Sequence, residues 1–125
     1  MSAGKYDIKV DQGSDFSLQL TIQESGVAKD LSGFSLRGQM RPTKDSSTLT
    51  ATFTTSITNV SGGVCTISLS HTTTENITVG QYFYDIELFT GSTVQRVIEG
   101  LVTVSPEVTR WALEQQLLQV FALLL

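Results

Sequence analysis

Two apolar-rich runs in residues 80–104, GQYFYDIELFTGSTVQRVIEGLVTV, flank the polar turn Thr90-Gly91-Ser92-Thr93, and their pairing constrains the fold more than any other part of the chain. In the first run Tyr82, Tyr84, Ile86 and Leu88 fall on one side while Phe83, Asp85, Glu87 and Phe89 fall on the other. That is a strand period, with aromatic and β-branched residues where a pleated face accommodates them. In the second run Val94, Val97, Ile98, Leu101, Val102 and Val104 cannot share one face at a strict period of two, and the phase changes near Glu99-Gly100. A glycine at a phase slip predicts a β-bulge or bend at that point. The hairpin is therefore expected at the centre of an antiparallel β domain.

The preceding residues read as further strands. Ile8 and Val10, with Tyr6, alternate with charged residues up to the turn Asp11-Gln12-Gly13-Ser14-Asp15. Phe16, Leu18, Leu20 and Ile22 alternate with Ser17, Gln19, Thr21 and Gln23, the cleanest half-buried pattern in the chain. After a loop and the turn Asp30-Leu31-Ser32-Gly33, Phe34, Leu36, Gly38 and Met40 share a face, and Pro42 closes that strand because it has no N–H to donate. Leu49, Ala51 and Phe53 form a Thr-rich strand suited to a sheet edge, and Cys65, Ile67 and Leu69 follow the turn Asn59-Val60-Ser61-Gly62-Gly63. Residues 70–80 lack a strand period, and Ser70 is placed to cap a single helical turn. About seven short strands at this spacing predict an all-β antiparallel domain over residues 1–105, a sandwich or a barrel.

The period then changes. Ser105-Pro106-Glu107 is a helix-start signature, although the start could equally lie near Thr109-Arg110. Residues 106–125 are predicted to form one C-terminal helix. Leu113, Leu117, Val120 and Leu124 make one apolar seam; Trp111, Leu118, Ala122 and Leu125 make a second. Only Glu114, Gln115, Gln116 and Gln119 are polar in residues 111–125, so the last turns, which include Phe121, are apolar all round and need burial on every side. Two ways to bury them stay open: folding back over the chain's own sheets, or insertion between copies of the chain or into a groove on another protein. The second leaves more area for both seams, because a sandwich covers its own inner faces. It makes Trp111, Leu113, Leu117, Leu118, Val120, Phe121, Leu124 and Leu125 the expected assembly interface.

Composition narrows the function classes. A net charge of -4 with eight scattered basic residues offers no stripe for a nucleic-acid backbone or an acidic membrane. Residues 1–10 lack the apolar core of a signal peptide, and no apolar run of about 18 residues could span a bilayer. The single cysteine, Cys65, excludes an internal disulfide and reads as a small buried hydrophobe. Synthesis in a cytoplasm, without secretion by the signal-peptide route, is expected.

Catalytic chemistry finds little material. His71 is the sole histidine and sits in a polar run, so a metal site with two histidine ligands cannot be built from one chain. Asp85 and Glu87 stand two apart on one strand face, but a solvated outer face beside Gln95 and Arg96 explains them better than a carboxylate pair. Asp11 and Asp15 flank a turn without the ligand count of a calcium loop. No enzyme, cofactor or metal function is expected. A carbohydrate-binding module using Tyr82, Phe83, Tyr84 or Phe89 as stacking platforms is a second reading, and it requires at least two of these rings on the surface.

Taken together, KYDIKVDQGSDFSLQLTI, KDLSGFSLRGQMR, GGVCTISLSHTTTENITVGQYFYDIEL and VQRVIEGLVTVSPEVTR resemble small virion structural proteins of tailed bacteriophages. More loosely, residues 5–110 are similar to the N-terminal immunoglobulin-like domain of phage baseplate upper proteins. The resemblance implies a β-sandwich module of the virion, in a tail, baseplate or fibre-attachment position, made in the host bacterial cytoplasm and without catalysis. It also implies a homo-oligomer, trimer or hexamer, in contact with other virion proteins, and neither nucleic acid nor membrane as partner. The longer baseplate proteins continue into helical and receptor-side regions where this sequence stops, which favours a short adaptor; a capsid decoration protein is the alternative.

Overall fold

The computed structural model describes residues 3–109, and within them the chain is all-β apart from one helical turn. At its centre the strand β10 (Gly80–Phe89) pairs antiparallel with β11 (Val94–Ser105), as the alternation requires. The turn between them closes on Thr90, whose N–H donates to the Thr93 carbonyl at 2.8 Å and whose hydroxyl accepts from the Ser92 and Thr93 N–H groups. Tyr82, Tyr84, Ile86 and Leu88 all point into the core.

The bulge lies elsewhere than expected. Register passes from Ile86 opposite Ile98 to Glu87 opposite Arg96, which leaves Val97 as the extra residue. Gly100 is regularly paired, with Tyr84. Its glycine answers a different need: a Cβ there would run into the backbone carbonyl of Tyr6.

The other edge of β10 carries β6 (Ser35–Arg41), and β7 (Ala51–Thr52) extends the sheet beyond it, both antiparallel. The free edge of β11 is taken by β1 (Gly4–Lys5) and β2 (Ile8–Asp11), and here the pairing is parallel, a departure from the all-antiparallel expectation. A single strand through Tyr6 is also not formed. The Asp7 carboxylate accepts the Leu101 N–H at 3.0 Å, the chain kinks, and Tyr6 is exposed.

A second sheet has the order β3 (Phe16–Thr21), β9 (Val64–Leu69), β8 (Thr54–Asn59). The strand expected over residues 49–54 is divided between the two sheets. Phe53 donates its N–H to the Gly38 carbonyl at 2.9 Å, and Thr55 then bonds the Leu36 carbonyl as the chain crosses over. A small hairpin, β4 (Gln23–Glu24) and β5 (Val27–Ala28), turns through Ser25 and Gly26, both at positive φ, as tight hairpins demand. Ser70 caps the predicted helical turn, α1 (His71–Thr74), by accepting the Thr73 N–H.

Both sheets feed one core. Ile8, Val10, Leu36, Met40, Ile86, Leu88, Val102 and Val104 come from the larger sheet, and Cys65, Ile67 and Leu69 from the smaller. Each such aliphatic side chain contributes roughly 1.5–3 kcal/mol when removed from water. Phe53 stands between the layers, its ring centroid 6.5 Å from Phe16 and 5.9 Å from Tyr84. Ser105 ends β11 and caps no helix; residues 106–109 form no helical turn.

Candidate functional site

The eight expected interface residues, Trp111, Leu113, Leu117, Leu118, Val120, Phe121, Leu124 and Leu125, lie outside the described residues, as does any helix from residue 110 onward. Among the described residues the most elaborated surface is the outer face of the larger sheet. Strand order places side chains there in rows that cross it. Gln39 lies opposite Asp85, Asp85 opposite Glu99, and Glu99 opposite Lys5. The adjacent row is Arg37, Glu87 and Arg96, and on the other side Arg41 lies beside Phe83 and Leu101.

Opposite charges meet along these rows. Lys5 Nζ is 2.5 Å from Glu99 Oε1, and Arg96 bridges Glu99 at 2.8 Å and Asp85 at 3.3 Å. Arg37 Nε lies 2.7 Å from Glu87 and its guanidinium covers the Phe89 ring. Hydrogen bonds from Lys5 and Arg96 hold the Glu99 carboxyl down at about 2. Burial pushes the Asp85 carboxyl up, against the pull of Arg96. Arg41 is engaged differently, by the Gln39 amide oxygen and the Ser46 carbonyl, and Lys44 sits over Phe83. Arg37, Arg41, Lys44, Phe83, Asp85, Glu87, Arg96 and Glu99 among them line a shallow groove of about 480 Å³.

The other candidates are scattered. His71 opens α1, exposed, with Nδ1 3.0 Å from Asp15 Oδ1. The Asp15 carboxylate also accepts the His71 N–H at 2.7 Å, and this backbone bond, ahead of the ring, lowers its pKa. The Asp11 backbone carbonyl accepts the Ser14 N–H at 3.1 Å, which closes the turn. Cys65 is fully buried, and burial raises its thiol pKa. Tyr82 and Tyr84 are core residues whose hydroxyls donate to the carbonyls of Thr78 and Tyr6. Phe83 and Phe89 are half-buried on the outer face. Among the described residues no group of three or more His, Cys, Asp or Glu side chains is placed to hold a metal ion, and no helix is long and apolar enough to cross a membrane.

No protein-family model matches the chain, and neither does any curated protein. Among solved structures it is similar to InlP of Listeria monocytogenes, with a TM-score of 0.47 at 15% sequence identity over 82% of this chain. The chain spans 27% of that protein's chain.

The outer face was legible in sequence only in part. Alternation placed Asp85, Glu87 and Arg96 together, but Arg37, Arg41 and Lys5 join them through strand order, which no local pattern encodes. Chemically the rows form a mutually neutralising lattice of exposed ion pairs. Such pairs are individually weak and serve to fix register and keep a broad sheet face wet.

Proposed function

We propose that this chain is a non-enzymatic structural subunit of a tailed-phage virion, an immunoglobulin-like β-sandwich that assembles through residues 111–125 in a tail, baseplate or fibre-attachment position. One observation carries the reading. The described core draws its members from residues 8–104, while residues 111–125 add a strongly apolar run with four polar side chains. A domain with its own core has little need of a further fifteen-residue apolar segment, and a particle subunit that must bind its neighbours has a direct use for one. Two sheets sharing one core support the sandwich, and the sequence resemblance supports the virion.

The carbohydrate-binding reading is weaker on geometry. Tyr82 and Tyr84 are buried, and Phe83 and Phe89 are six residues apart on one strand, roughly 20 Å. Each has a cation over its ring.

Leu117→Asp in the full chain tests the assembly role. Sedimentation should give a smaller species that keeps the wild-type far-ultraviolet spectrum, because a charge within an apolar seam is costly unless paired. An unchanged mass removes assembly from this segment. Antibody labelling of intact particles tests the virion role and separates a tail position from capsid decoration; particles free of label overturn it.

A further inference from the structure

Most cations of the outer face are matched by a carboxylate: Lys5 and Arg96 by Glu99, Arg37 by Glu87. Arg41 and Lys44, which flank Phe83 at one end of the groove, have no such partner among the described residues. Arg41 stands in β6 opposite Phe83, its guanidinium fixed by neutral acceptors, the Gln39 amide oxygen at 2.9 Å and the Ser46 carbonyl at 3.3 Å. Those bonds orient the group without cancelling its charge. Lys44 Nζ lies 5.8 Å from the centre of the Phe83 ring. Asp45, the acid beside it in sequence, accepts the Thr43 hydroxyl at 3.0 Å and does not line the groove.

The lining as a whole holds four cations, Arg37, Arg41, Lys44 and Arg96, and three carboxylates, Asp85, Glu87 and Glu99. One positive charge is left over, and it sits at the Arg41 end, in a chain whose net charge is -4. A single excess charge matches a monoanion. The planar fork of an arginine fits a carboxylate in particular, whereas a phosphate dianion would bring a second negative charge towards the three carboxylates already there. Beyond Arg41 the groove continues as a row, with Thr52 opposite Gln39 and Gln39 opposite Asp85. A hydroxyl, an amide and a carboxylate side by side offer donors and acceptors to a ligand rich in hydroxyl groups. The groove volume of about 480 Å³ lies in the range of small-molecule sites.

We propose that this end of the groove binds a sugar acid, a pyranose carrying one carboxylate. Arg41 and Lys44 take the carboxylate, Thr52, Gln39 and Asp85 take ring hydroxyls, and the half-buried Phe83 ring lies under the sugar. The cation over Phe83 decides between acidic and neutral sugars. A neutral sugar has to displace Lys44 to reach the ring, while an acidic one pairs with it. The same does not hold at Phe89, where the covering Arg37 is already bound to Glu87. The site is independent of assembly through residues 111–125.

The test is a calorimetric titration of the full-length chain at low salt with glucuronate and galacturonate, and with glucose, acetate and inorganic phosphate for comparison. Saturable binding of at least one of the two sugar acids, roughly tenfold tighter than any of the other three, is the expected result. Arg41→Gln should weaken it roughly tenfold or more, as the loss of a charge-assisted hydrogen bond does. Lys44→Gln, on an exposed loop where folding is not at stake, should weaken it likewise. Lys9→Gln removes a cation of β2 that lies outside the groove and should change nothing. No saturable binding of either sugar acid overturns the proposal, and so does unchanged affinity in either the Arg41 or the Lys44 variant. Acetate binding as tightly would show that the hydroxyls are not read, and phosphate binding as tightly would show a general anion site; each result also overturns it.

Discussion

The Tyr84 hydroxyl donates a 2.6 Å hydrogen bond to the carbonyl of Tyr6, and the residue paired with Tyr84 across the sheet is Gly100, whose lack of a Cβ gives that carbonyl its room. Three segments far apart in sequence are fixed by one contact. The N-terminal chain is carried over β11 at the point where β1 gives way to β2, and Tyr6 donates its own N–H to Glu99 at 3.0 Å. Gly100→Ala should push the Tyr6 peptide away and cost roughly 2 kcal/mol, with Tyr84→Phe costing about 1. Because both act on the same carbonyl, the double variant should lose less than the sum in urea denaturation. Additive losses would show that Gly100 serves some other purpose.

Gly38 makes the second close approach. It shares the inward face with Leu36 and Met40, and a Cβ there would meet Ile86 Cδ1, with the Asp85 carbonyl at 3.1 Å and Phe53 Cδ2 at 3.4 Å. Gly38→Ala should therefore overpack the core by about 1–3 kcal/mol. Ile86→Val removes the obstructing Cδ1, so it should cost less in the Gly38→Ala background than in the wild type. Equal costs in the two backgrounds, read from denaturation midpoints, would exclude this packing account.

The charge rows predict an acid dependence with a definite sign. The folded pKa of Glu99 is about 2, below the ordinary 4.5, so its pairing with Lys5 and Arg96 stabilises fully above the ordinary value and is lost as pH falls towards 2. Glu99→Gln should lower the melting temperature at neutral pH, and the gap to wild type should close across that acidic window. Asp85 has the opposite sign: burial raises its pKa, so its ionised form costs the folded state at neutral pH and acid relieves the cost. Asp85→Asn should accordingly show a difference from wild type that runs against that of Glu99→Gln on acidification. Melting curves from neutral pH to about 2 check both.

How far the sequence disclosed this fold depends on how local the information was. Side-chain alternation is local, so the inward faces of β6, β9 and β10 and the cap at Ser70 were all readable. Sheet membership is not. Ala51 and Phe53 alternate as one strand would, yet the chain changes sheets at Phe53, and Leu49 is exposed. Parallel pairing of β2 with β11 joins the two ends of the domain, which no short pattern announces. Gly100 signalled a phase slip because bulges and close approaches both favour glycine; only the position of Tyr6 separates them. Ile77, buried in a stretch without any period, gave no signal at all. The outer-face carboxylates were visible and their partners on β6 and β1 were not, for the same reason.

Gln12 is bonded to the chain on both sides of Pro106, at Ser105 and at Glu107. Its N–H donates to the Ser105 carbonyl at 3.0 Å, and its side-chain oxygen accepts the Glu107 N–H at 3.2 Å. The amide nitrogen donates to the Ile77 carbonyl at 2.9 Å, which ties the exit from β11 to the stretch after α1. Gln12→Leu keeps the bulk and the backbone bond but removes both side-chain bonds. A neutral hydrogen bond contributes about 1 kcal/mol net, so the Glu107 amide should exchange with solvent roughly fivefold faster. Exchange at the Val102 amide, deep in β11, should be much less affected. Equal acceleration at both would mean that the variant loosens the whole sheet. No change at Glu107 would mean that Pro106 and the end of β11 set the exit direction without Gln12.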